Sequence, residues 1–122
     1  MNTEALFSPF SYKNFQLKNR VVMAPMTRAQ SDNGVPTQQI ADYYARRAAS
    51  EVGLILSEGT VINRPGSKNL QNIPDFYGTE ALKGWKNVID SVHHNGGKMG
   101  PQIWHVGDTR SVADYPLVEM EK

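Results

Sequence analysis

The chain holds 122 residues, 39% hydrophobic and 20% charged, with 13 basic residues against 12 acidic ones. That suits a globular chain with a single core, and a net charge of +1 with no basic stripe gives nucleic acid nothing to bind. The absence of cysteine excludes disulfides, thiolate nucleophiles and cysteine-ligated metals; no apolar run nears the ~20 residues of a membrane span, and the start carries Glu4 rather than the basic run of a secretory signal, so a cytoplasmic protein is the default.

The first element in chain order is a small hairpin over "FSYKNFQLKNR", with Lys13 and Asn14 at its turn. Asn tolerates the positive φ such turns need, and Lys is a weaker choice there than Gly. Val21 to Ala24 is a short unbroken apolar run, as expected of a strand covered on both faces, and Pro25 ends it. "TQQIADYYARRAAS" reads as a helix, with Pro36 and Thr37 as its start signal and Ile40, Tyr44 and Ala48 on one face. "GLILSEGT", Gly53 to Thr60, is a second strand. Residues 61–78 are rich in Asn, Pro and Gly and read as a long loop, whose length favours a roof over a site. Thr79 is expected to cap a second helix, with an apolar stripe of Leu82, Trp85, Val88, Ile89 and Val92, stopped by Gly96 and Gly97. "KMGPQIWH", residues 98–105, makes a third strand, in which Pro101 cannot donate to a ladder and marks a bulge that aims Gln102.

Strand, helix, strand, helix, strand, with long crossovers, predicts an α/β fold with a parallel sheet and both helices on one side. In such folds ligands bind outside the carboxyl ends of the strands. Those ends are Pro25-Met26-Thr27-Arg28, Ser57-Glu58-Gly59-Thr60 and Gln102-Ile103-Trp104-His105. They offer a hydroxyl, an amide, a glycine backbone, an indole, an imidazole and two charges, which suits a flat heterocycle that forms hydrogen bonds.

"LFSPF…LKNRVVMAPMTR", "LILSEGTVINRPG" and "GGKMGPQIWHVG" together resemble the N-terminal part of the old yellow enzyme family, from Leu6 to about Gly107. Members of that family are FMN-dependent alkene reductases built on a (β/α)₈ TIM barrel. The resemblance implies that Pro25 and Met26 pack under the flavin. It implies that Thr27 bonds the isoalloxazine C4 carbonyl, that the Gly59 N–H meets the same edge, and that Gln102 contacts the pyrimidine portion. It places Trp104 near the substrate pocket. The implied chemistry carries hydride from NADH or NADPH through FMN to an activated alkene, a small-molecule partner.

Such a barrel takes about 250 residues. The chain is therefore expected to be an incomplete section of one FMN-binding domain, with no catalytic residue of its own and little activity alone. After "QIWH" the family's basic residue is displaced to Arg110, and "YPLVEMEK" reads as a loop-like end. Two alternatives stand beside the reductase reading. One is a barrel fragment without activity that self-associates as a homo-oligomer. The other is a related multidomain flavoprotein, dienoyl reductase-like or trimethylamine dehydrogenase-like. Among the remaining residues, His93, His94 and His105 lack a metal-ligand spacing. His105 is expected to be structural, Glu58 to be a structural partner of an arginine, Arg28 to be a solvated loop charge, and Tyr43 and Tyr44 to pack the helix.

Overall fold

The computed structural model describes residues 3–109. The readings of Arg110 and of the "YPLVEMEK" end lie outside the described residues. A one-turn helix α1 (Glu4–Phe7), which the sequence pattern does not signal, precedes the hairpin of β1 (Phe10–Tyr12) and β2 (Phe15–Leu17). The hairpin turns at the expected place, with Tyr12 opposite Phe15, but Lys13 rather than Asn14 takes the positive φ, at 50°.

The main sheet has three parallel strands in chain order: β3 (Val22–Met23), β4 (Leu54–Val61) and β5 (Lys98–Trp104). The crossovers carry α2 (Gln38–Ala49) and α3 (Thr79–His94). The core lies between these helices and the sheet, and comprises Ile40, Ala41, Tyr44, Ala48, Ile55, Trp85, Val88 and Val92. Each large apolar side chain buried there contributes roughly 1.5–3 kcal/mol. α3 approaches the segment leading into α2 closely where Gly84 meets Pro36; a Cβ on Gly84 would press on the Pro36 carbonyl.

Two details depart from the sequence reading. The start of α3 is capped by Gly78, at φ 76°, and Thr79 is already helical; Gly78 supplies the carbonyl that accepts the Leu82 N–H. The buried stripe of α3 uses Ala81, whereas Leu82 is 46% exposed. The strands are not covered on both faces either. Val22 of β3 is 49% and Ile103 of β5 52% exposed, while β4 between those strands is largely buried.

Residues 61–78 are tied down at both ends: Gly66 lies against His105 and the Ser67 carbonyl accepts the Val106 N–H just past β5, while the later part returns to β4. Val61 donates to the Pro74 carbonyl, Phe76 donates to the Val61 carbonyl, and the Trp85 indole N–H donates to the Asp75 carbonyl at 3.0 Å. Phe76 packs against the Trp85 ring, and Asp75 pairs with Val61 of β4 through a parallel bridge.

Candidate functional site

Three parallel strands in adjacent order place their carboxyl ends along one edge, which brings the 25–28, 57–60 and 102–105 segments side by side. β4 bulges between Leu56 and Gly59, opposite Pro101. The cause is the missing proline N–H: Pro101 leaves the ladder without a donor, and β4 takes up an extra residue there. The groups this frees are satisfied by side chains. The Gln102 N–H donates to Ser57 Oγ at 3.2 Å, and the Glu58 N–H donates to Tyr44 Oη at 2.8 Å. The ladder then resumes with Gly59 opposite Gln102.

At this edge Met26 is 51% exposed, Pro25 is half-buried, and Thr27 is exposed. The Thr27 hydroxyl and the Gln102 side-chain amide form no hydrogen bond to any described residue. Gly59 is buried, and the Trp104 indole lies over it so closely that a Cβ there would collide with the ring. Trp104 Nε1 is itself buried and lacks a partner among the described residues. Gly59 thus has a packing reason to be glycine beside any approach of a ligand.

Glu58 is fully buried below this edge. Its Oε2 accepts the backbone N–H groups of Arg28 at 2.9 Å and Ala29 at 3.0 Å, while Oε1 is unpartnered among the described residues. Burial pushes its carboxyl above the ordinary value of 4.5; the two N–H bonds and the Arg28 charge oppose that shift without cancelling it. Burial likewise raises the Tyr44 phenol to about 12. Arg28 is not a solvated loop charge. Its guanidinium lies 3.5 Å from the Tyr43 ring centroid, and Arg47 lies 3.4 Å from the same ring. The sequence reading missed this stack; the four-residue spacing of Tyr43 and Arg47 on one helix was the available signal. His105 accepts the Gly107 N–H on Nδ1 at 3.1 Å, the local structural role expected of it.

The donor set fits a flavin ring edge: a hydroxyl and an amide without other bonds, apolar Met26 beside them, and an unpartnered indole N–H. Among the described residues no group of His, Asp or Glu side chains could hold a metal ion, and no helix is long and apolar enough to cross a membrane.

Parallel strands with helices packed on one side, and open polar groups along their carboxyl edge, are the arrangement of a section of a (β/α) barrel, the fold class that binds ligands at that edge. The chain belongs to the NADH:flavin oxidoreductase / NADH oxidase family, whose model matches residues 5–119. It is 45% identical over 102 residues to 12-oxophytodienoate reductase 7 of Oryza sativa subsp. japonica, which covers 84% of the chain and 25% of that protein. A solved structure of morphinone reductase in complex with tetrahydroNAD matches with a TM-score of 0.80 at 37% identity, over 87% of this chain and 28% of the other. The old yellow enzyme homologue from Zymomonas mobilis matches at 0.82 and 32% identity, over 93% of this chain and 31% of the other. The expected fold, the N-terminal part of a (β/α)₈ barrel of old yellow enzyme type, is therefore the observed one. The chain spans between a quarter and a third of the relatives it matches.

Proposed function

We propose that the chain is one section of a single FMN-binding barrel domain, in a reductase that uses NADH or NADPH to reduce activated small-molecule alkenes. The observation that carries this is the uncommitted pair at the strand ends: the Thr27 hydroxyl and the Gln102 amide, on the outer two of three adjacent strands. Pro25 and Met26 would form the apolar floor under the ring, and Thr27, the Gly59 N–H and Gln102 would bond its polar edge. Trp104 would stand between that edge and the substrate. Bound FMN supplies the two-electron chemistry that moves a hydride from the nicotinamide to the alkene. The chain's own part is to orient the ring and tune its electronics. We place the protein in the cytoplasm.

The test is Thr27→Ala in the complete flavoprotein. FMN should remain bound, and its reduction by NADH or NADPH should slow by about threefold to tenfold, the worth of one hydrogen bond. An unchanged reduction rate would remove Thr27 from the cofactor contacts.

A further inference from the structure

Thr27 sits on an exposed segment, yet the peptide that follows it is held from below by a buried acid. The Arg28 N–H belongs to the peptide unit joined directly to Thr27, and it donates to Glu58 Oε2 together with the Ala29 N–H. Ala29 has a φ of 51°, a left-handed conformation that costs a non-glycine residue roughly 1–2 kcal/mol. A backbone that departs in this way needs an external hold. Glu58 is itself fixed from two sides: its N–H donates to Tyr44 Oη, and its carbonyl accepts from Ser57 Oγ at 2.7 Å. The β4 bulge opposite Pro101 places it there.

We propose that Glu58 is a positioning residue for Thr27, clamping the Arg28 and Ala29 amides so that the Thr27 hydroxyl meets the flavin edge in one orientation. This rests on the reading of Thr27 as a cofactor contact. Glu58 does not touch the cofactor; it acts through the backbone of residues 28 and 29. Its free Oε1 is not needed for the clamp, so an amide in its place retains the function.

The experiment uses the complete flavoprotein with T27A, E58A, E58Q and the double variant T27A/E58A. FMN affinity is read by flavin fluorescence, and amide exchange at Arg28 and Ala29 is read with and without FMN. T27A should weaken FMN by about threefold to tenfold, the loss of one hydrogen bond. E58A should weaken it comparably and accelerate exchange at both amides even without FMN. E58Q should restore affinity and protection. The double variant should bind FMN no more than twofold more weakly than T27A alone, since both changes remove one contact. If T27A weakens FMN and E58A does not, or if the two losses multiply in full, the clamp is wrong and the Thr27 contact stands. If T27A has no effect on FMN, both fall. Where E58A does not fold, E58D replaces it: its shorter side chain draws the carboxylate back and should give the same pattern.

Discussion

Glu58 accepts the backbone N–H of Arg28 at 2.9 Å, while the Arg28 guanidinium turns away to stack on Tyr43. The carboxylate is therefore buried without a direct ion pair to that cation. Burial dominates, so the folded protein holds the Glu58 proton more tightly than the unfolded chain does.

The sign of the resulting pH dependence follows. Where the folded state binds the extra proton, stability falls as pH rises, from the ordinary value of 4.5 up through the raised folded value. Above that window the penalty stays constant. Glu58→Gln has no such ionisation. In urea unfolding of the complete protein, the wild type should lose stability relative to E58Q as pH rises from the ordinary value of 4.5 through the raised folded value. A difference that stays flat, or grows in the other direction, would show that the carboxyl is not held neutral by burial.

Tyr44 tests the other side of the bulge. Its hydroxyl accepts the Glu58 N–H at 2.8 Å in a buried site, and Tyr44 is 1% exposed. Tyr44→Phe leaves that N–H without a partner and should cost about 1–3 kcal/mol in denaturant unfolding. The phenol, pushed up to about 12, should also show no phenolate absorbance until well above the usual tyrosine range while the protein stays folded.

Asn19 joins the hairpin to the sheet. Its Nδ2 donates to the Glu51 carbonyl at 2.6 Å, where Glu51 has a φ of 70°, and its Oδ1 accepts the Val21 N–H at 3.0 Å. Asn19→Ala strips both backbone groups of their partner and should destabilise by about 2–4 kcal/mol. Asn19→Asp keeps the acceptor for Val21 and places a charge against the Glu51 carbonyl, so it should be no better tolerated. Thermal unfolding of the three proteins checks this; a neutral Asn19→Asp would mean that Nδ2 is not the important donor.

What could be read in the sequence depended on range. The strand–helix alternation was legible because Ile40, Tyr44 and Ala48 repeat at helical spacing, and Leu54 to Leu56 run unbroken. The bulge at Pro101 was legible because a missing N–H inside a strand disfavours a regular ladder there. The fate of Val22 was not. An apolar run reports that both faces are suited to burial, but not whether the covering elements are present. The Arg28–Tyr43–Arg47 stack was hidden for a different reason. It joins a loop to a helix face, and neither segment's local pattern signals the other. Leu82 and Ala81 changed places because they are adjacent, and hydrophobicity alone favours the larger residue. Ala81 shares its face with Trp85, Val88 and Val92 at helical spacing, whereas Leu82 stands one position round the helix and is exposed.

Gly59 and Trp104 provide the sharpest separation of packing from cofactor binding. A Cβ on Gly59 would collide with the Trp104 ring, so Gly59→Ala must displace the indole or bend β4. Overpacking of this kind costs about 1–3 kcal/mol. If the indole is the cause, Trp104→Ala should relieve most of that loss, and the double-variant cycle should show strong coupling in stability. FMN affinity in the complete flavoprotein is a separate readout. If glycine is also needed for close approach of the ring, G59A/W104A should regain stability while FMN binding stays weakened. Recovery of both would assign Gly59 to packing alone. Recovery of neither would mean that the strain of G59A lies in the β4 backbone, not in the indole above it.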